Sequence, residues 1–241
     1  LFKFLDDNKI PHILFINKMD QASHPVRDIL AALQGVSSRP LVLRQVPIRV
    51  AGKDGDEVTG YVDVISERAY KYHPGQESDL VKMPEELLPR EQEARTGLLE
   101  TLADFDDHLM EELLSDAVPS KEEIYQLLSK DLAEDLIVPV MLGAAEKDAG
   151  VHRLLKALRH DVPGPEVTAK RLGIEGNDPA AVIFKTSNQQ HSGKLSLVRV
   201  FGGKIADGAT LNGQRLSGIL KPKGHAGDKV PAANPVAVAA S

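Results

Sequence analysis

Ile13-Leu-Phe-Ile-Asn-Lys-Met-Asp20 is an apolar run that ends in an Asn-Lys-x-Asp box. Four consecutive apolar residues, Ile13 to Ile16, match a strand covered on both faces, as in a parallel sheet. The box then falls at the carboxyl end of that strand, which is where open α/β sheets bind ligands. The four-residue pattern by itself is weak, and an ordinary polar strand-to-helix loop also fits it. The strand in front of it is what raises its weight.

The chemistry of the box is selective. An ionised carboxylate such as Asp20 only accepts hydrogen bonds, and it can take two adjacent donors at once. Guanine presents such a pair, N1–H and N2–H₂, whereas adenine has an acceptor at N1 and nothing at C2. Lys18 has an aliphatic stem long enough to lie over a base while its ammonium stays in water. Asn17 has both a donor and an acceptor with which to brace the loop. The reading is a guanine-selecting element of a GTPase.

A second apolar run, Leu136-Ile-Val-Pro-Val-Met-Leu142, leads into Gly143-Ala-Ala-Glu-Lys147. Val151, Leu154, Leu155 and Leu158 follow at helical spacing. The small residues Gly143, Ala144 and Ala145 leave backbone N–H groups accessible, and these are candidates to donate to guanine O6. An ordinary βα turn needs small residues too. The order of the two boxes along the chain favours the base-contacting reading.

These residues resemble bacterial elongation factor G and elongation factor G-like translational GTPases. The likeness runs along nearly the whole chain. It is carried by Ile10 to Asp20, Gln45-Val-Pro-Ile48, Gly60-Tyr-Val-Asp-Val64, Met83-Pro-Glu-Glu-Leu-Leu88, Asp106 to Glu112, Val138 to Lys147, and Gly193 to Gly203. The chain departs from the family pattern at Ala144, where Ser is usual and its hydroxyl braces the base loop. It departs again at Glu146 and at Asn234-Pro235.

The resemblance implies an α/β fold: part of a P-loop GTPase-type parallel sheet carrying an α+β insertion, followed by an all-β barrel. Residues 1–162 are expected as the C-terminal part of the GTPase domain, with the insertion over about 39–130. A linker is expected over 163–178 and an incomplete barrel over 179–241. GTP or GDP is the implied ligand, through Asn17, Lys18, Asp20, Gly143, Ala144 and Ala145. Magnesium is implied for the longer parent protein. The implied partners are the ribosome, through rRNA and the large-subunit stalk protein, with a cytoplasmic, monomeric protein that makes no membrane contact. Two other functions stay open: a ribosome-binding interaction module without turnover, and a different translational GTPase of the ribosomal-protection or release type.

The phosphate side of a GTPase is not in these residues. No G-x-x-x-x-G-K-[ST] occurs in the sequence, so no phosphate-cradling loop is expected here. Asp161-Val-Pro-Gly164 has the form of a magnesium-side box but stands after both base boxes. Thr168-Ala-Lys170 mimics a base-contact box with no strand before it. The chain opens on Leu1, and the expectation is a piece of a larger protein whose phosphate-binding half precedes Leu1 and whose further domains follow Ser241. No catalytic residue and no metal ligand is assigned, and the chain alone is expected not to hydrolyse GTP.

Composition narrows the class further. Cysteine is zero and the net charge is −6, which excludes disulfides, thiolate metal sites and a global field attracting RNA. No apolar run reaches the roughly 18 residues of a membrane span.

Elsewhere, Pro25 to Leu33 reads as a helix, Gly52-Lys-Asp-Gly55 as a hairpin turn, and Thr59 to Ile65 as a strand. Tyr70 to Asp79 reads as a polar loop. Pro89 to Ser115 reads as one long helix with acidic residues along it. Asp104 and His108 on that helix have the spacing of a metal pair, although a solvated face explains them more simply. Ser120-Lys-Glu-Glu123 is a capping-box sequence. Short β patterns separated by turns fill the chain after Ala180. Lys221-Pro-Lys-Gly-His225 and Lys229 form a basic loop, either an ordinary turn or a phosphate contact. Gln189 to Ser192 reads as a polar loop in which His191 has no catalytic partner.

Overall fold

The chain's fold is described from a computed structural model, which covers residues 1–22, 24–52, 55–73, 75–189, 193–223, 226–229, 232–233 and 237–240. The backbone divides into two compact units, Leu1–Val162 and Pro163–Ser241.

The first unit begins with α1 (Phe2–Asp7), β1 (Leu14–Ile16), α2 (Val26–Gln34) and β2 (Leu41–Leu43). It continues with β3 (Gln45–Gly52), β4 (Gly55–Asp63), β5 (Arg68–Lys71) and β6 (Asp79–Val81). Helices α3 (Leu88–Ala103), α4 (Asp107–Leu114) and α5 (Lys121–Ala133) follow, and β7 (Val138–Leu142) and α6 (Val151–His160) complete the unit.

Strands β1, β7 and β2 form a parallel sheet in that order. All five residues of β7 are buried, as expected of its central place. The three residues of β1 are only half-buried. Among the described residues β1 stands at one edge of this sheet, with Leu14 and Ile16 packed against its core. Pro139 is tolerated in the central strand for a specific reason. Gly143 donates towards β1, at Ile16 O, so by alternation the N–H that Pro139 lacks would point to the same side, short of where β1 begins.

The chain passes from the parallel sheet into an antiparallel one through a single residue, Arg44. Strands β3, β4, β5 and β6 pair in sequence order. Gly52 and Gly55 pair across the expected hairpin, whose Lys53 and Asp54 lie outside the described residues. The stretch expected as a loop, Tyr70 to Asp79, is one over its described residues between Lys71 and Asp79, while Tyr70 and Lys71 end β5 and Asp79 begins β6. Tyr70 stacks on Tyr61 with ring centroids 5.2 Å apart, and cross-strand aromatic pairs of this kind stabilise a ladder that composition alone does not reveal.

The expected long helix is two helices. Asp106 interrupts it, adopts an extended backbone and accepts a hydrogen bond from Leu109 N–H at 3.2 Å. Its carboxyl is held below the usual range, chiefly by that backbone hydrogen bond. An Asp that caps a new helix favours ending the old one. The Ser120 cap is found as expected: its Oγ accepts Glu123 N–H at 3.1 Å. The α5 helix then continues to Ala133.

One core joins the helices to both sheets. Leu98 and Leu102 from α3, Leu109 from α4 and Ile124 and Leu128 from α5 pack with Val62 from β4 and Val42 from β2. Each fully buried aliphatic side chain of this size contributes about 1.5–3 kcal/mol. The inserted strands and helices are therefore packed onto the parallel sheet rather than hung from it. Among the described residues, no helix is long and apolar enough to cross a membrane.

The second unit starts with α7 (Pro165–Arg171), inside the stretch expected as linker. Pro165 at the first helical position suits a helix start, because its missing N–H has no intrahelical partner to lose. Next come β8 (Ala180–Gln189), β9 (Gly193–Gly202), β10 (Ile205–Ala206), β11 (Thr210–Leu211) and β12 (Gln214–Arg215). The last strands are β13 (Ile219–Lys223), β14 (Ala226–Lys229), β15 (Ala232–Ala233) and β16 (Ala237–Ala240). The main sheet has the order β14-β13-β16-β9-β8, with two-stranded ribbons β10-β15 and β11-β12 beside it. Every pairing is antiparallel. Closure into a barrel is not seen among the described residues. Val198, Val200, Ile205 and Ile219 form the core of this unit. His191 and Asn234-Pro235 lie outside the described residues, as do Gly224 and His225 of the basic segment, whose lysines fall on β13 and β14.

Candidate guanine-binding site

The two boxes meet because their strands run side by side. Leu14, Phe15 and Ile16 pair with Val140, Met141 and Leu142. The pairing extends into the loops, with Gly143 N–H donating to Ile16 O and Met19 N–H to Gly143 O, each at 3.0 Å. Gly143 is required by this close approach. A Cβ there would lie 2.4 Å from the Phe15 ring and 2.5 Å from Ala149 O.

Asn17 Oδ1 accepts the N–H of Ala145 at 2.9 Å, so the first box braces the second. Lys18 is exposed and takes a left-handed backbone, φ 59°. That conformation is costly for a residue with a Cβ, and it lets the next side chain turn inward. Met19 is 1% exposed and packs with Val26, Val58 and Leu142. The variable position of the box is thus its anchor. Sequence reasoning passed over Met19, although an apolar side chain inside a polar loop was a visible signal.

The second loop is tight. Ala144 and Ala149 bridge each other, with N–H to O distances of 2.9 and 3.1 Å. A turn of 3-10 helix spans Ala145–Lys147, followed by left-handed Asp148 and Gly150. The amides expected to face a base are used inside the protein: Gly143 on Ile16 O, Ala144 on Ala149 O and Ala145 on Asn17 Oδ1. Of the three, only Ala145 N–H is held by a side chain, which rotates more easily than backbone.

Asp20 is not presented openly. Its side chain is 11% exposed, and Oδ2 lies 3.3 Å from Lys147 Nζ. The same ammonium lies 3.5 Å from Glu57 Oε1 on β4. The hydrogen bond to Asp20 raises the Lys147 pKa, and the charges of Asp20 and Glu57 add to it. Lys147 was visible in the sequence as the last residue of the second box. Glu57 was not, because its approach depends on how β4 packs.

The inserted sheet also holds the second loop from outside. Asp63 receives Arg153 from α6 through Nη2 at 2.7 Å and Nε at 3.1 Å. Gly75 N–H donates to Asp148 Oδ2 at 3.1 Å. Arg44 is 1% exposed and pairs with Asp161 at 2.9 Å. Asp161, of the magnesium-like box, is therefore a buried structural partner. Thr168 to Lys170 lie within helix α7.

The metal-like spacing of Asp104 and His108 does not become a pair, because the helix breaks between them. His108 Nε2 instead lies 3.9 Å from Glu112 Oε1 and 3.8 Å from Glu123 Oε1. His108 is 71% exposed, which suits weak surface ion pairing.

The paired strands, the inserted α+β layer and the antiparallel second unit define a partial P-loop GTPase-type α/β fold followed by a unit of antiparallel strands that opens on one short helix. The comparisons give a nearer likeness. Over 227 residues, 93% of its length, the chain is 47% identical to an elongation factor G-like protein of Synechocystis sp.. It spans 33% of that relative's length. A Thermus thermophilus protein of known crystal structure matches 99% of the chain with a TM-score of 0.78 at 24% identity, covering 34% of that protein. This second likeness shows the fold. No protein-family profile matches the chain.

Proposed function

We propose that this chain supplies the guanine-reading half of an elongation factor G-like GTPase. The observation that carries the reading is the brace from Asn17 to Ala145, which joins two boxes distant in sequence at one end of one parallel sheet. The residues suit the ligand. Asp20 is an acceptor-only group matched to two adjacent donors. Lys18 is exposed and free to cover a base face, and Ala145 N–H is held by a side chain that can let it go. GTP and GDP are the ligands this set selects.

No G-x-x-x-x-G-K-[ST] loop occurs in these residues, so phosphate handling and magnesium binding are assigned to none of them. The chain alone does not hydrolyse GTP. Magnesium-dependent turnover by the purified chain contradicts that statement. The longer protein couples GTP hydrolysis to translocation or a related task on the ribosome, in the cytoplasm, through rRNA and the large-subunit stalk protein. The 47% identity to an elongation factor G-like protein supports this assignment.

A second reading is a ribosome-binding module without turnover. It is favoured by Ala144, which lacks a bracing hydroxyl, and by the internal use of the loop amides. GTP turnover by the longer protein separates the two. The first reading predicts magnesium-dependent hydrolysis of GTP and not of ATP. The second predicts that hydrolysis of GTP is weak or lost.

A further inference from the structure

We infer that Lys147 is a clasp on the base-reading carboxylate, and that guanine nucleotides compete with it for Asp20, shifting the ammonium onto Glu57. The inference rests on the guanine-reading assignment of Asp20 and adds to it a pair of residues that sets affinity.

Three observations carry it. First, the carboxylate that must reach a base is only 11% exposed, and its Oδ2 already faces an ammonium at 3.3 Å. A bidentate contact to guanine needs both oxygens. Second, the ammonium has an alternative acceptor in place. Glu57 Oε1 is 3.5 Å away, and both Lys147 and Glu57 are more than half exposed, so the lysine can turn to Glu57 without crossing the core. Third, the other base-facing group is satisfied in the same internal way, with Ala145 N–H on Asn17 Oδ1. The two loops close on each other, and a base opens them by exchanging partners at both contacts.

Glu57 sits on the inserted antiparallel sheet, whereas Asp20 and Lys147 follow strands of the parallel sheet. The clasp therefore ties base affinity to the position of β4. Val58, the next residue, packs on Met19 inside the same box. A movement of β4 that draws Glu57 away leaves Lys147 on Asp20 alone and weakens nucleotide binding.

The test is equilibrium binding of a fluorescent GDP analogue to the longer protein carrying this segment. Exposed ion pairs are weak, so the expected effects are about two- to five-fold. Lys147→Met should tighten binding by that factor, and Glu57→Gln should loosen it by a similar one. The double variant should behave like Lys147→Met alone, because Glu57 acts through the lysine. Lys147→Arg should keep the wild-type affinity, and the gain in Lys147→Met should shrink as salt screens the pair. Unchanged or weaker binding by Lys147→Met overturns the clasp, as does a Glu57→Gln effect that persists without the lysine. Asp20→Asn, measured beside them with guanine and xanthine nucleotides, separates the two levels. If it shifts base preference while Lys147→Met does nothing, only the clasp fails. If it shifts nothing, the base reading fails and the clasp with it.

Discussion

Asp63, the last residue of β4, takes two hydrogen bonds from Arg153 of α6 on one oxygen, at 2.7 and 3.1 Å. The contact ties the end of the inserted sheet to the helix that follows the second base loop. Both side chains are nearly buried, at 3% and 11% exposure. The arrangement fixes the far end of the 143–150 loop as Asn17 fixes the near end.

Removing one partner should be costly. Asp63→Ala leaves a buried guanidinium without its carboxylate, and a loss of about 3–5 kcal/mol in urea unfolding is expected. Asp63→Ala with Arg153→Met should recover part of that loss. Burial pushes the Asp63 carboxyl up, but Arg153 and then Arg44 pull it below its usual 3.8. Its contribution is therefore complete above about pH 4 and fades as pH falls through the lowered value. The acid-unfolding midpoint should move to higher pH in the Asp63→Ala chain.

Asp131 behaves in the opposite sense. It is fully buried on α5, and neither carboxylate oxygen has a hydrogen-bond partner among the described residues. Burial pushes its pKa up from 3.8 to about 6. The folded chain holds this proton longer than the unfolded one, so stability is full below the ordinary value and is lost as pH rises towards 6. Asp131→Asn should stabilise by about 2 kcal/mol at pH 7 and by almost nothing at pH 4. Thermal unfolding of both chains across that range checks it.

Gly143→Ala should disturb the site where the two strands pass into their loops. The added methyl meets the Phe15 ring and Ala149 O within 2.5 Å, so the loops must separate. A destabilisation of about 1–3 kcal/mol is expected. Guanine-nucleotide affinity of the longer protein should fall with it, more than in a core variant of equal stability.

Much of this was legible in the chain. The two apolar runs could be read as strands with their boxes at the carboxyl ends, because apolar runs and small turn residues carry strong local signals. The Ser120 cap was legible for the same reason. Register, edges and long-range partners were not. The half-exposure of β1 depends on sheet order, and the helix break at Asp106 depends on which hydrogen bond its carboxylate makes. Tyr70 and Lys71 were read into the loop that follows them because β5 is held by pairing with β4, where Tyr70 stacks on Tyr61. The same limit hid Glu57 at the base site: its nearest ion partner there is Lys147, distant in sequence.

The central claim is that Asp20 reads the base, and one substitution tests it most directly. Asp20→Asn in the longer protein replaces an acceptor by an amide that can donate. The account predicts that GDP affinity falls by at least about ten-fold, since a charged hydrogen-bonding partner is lost. It also predicts that xanthosine diphosphate, whose C2 carbonyl accepts from the amide, becomes the tighter ligand. Unchanged GDP affinity, with no gain for xanthosine diphosphate, would contradict the account.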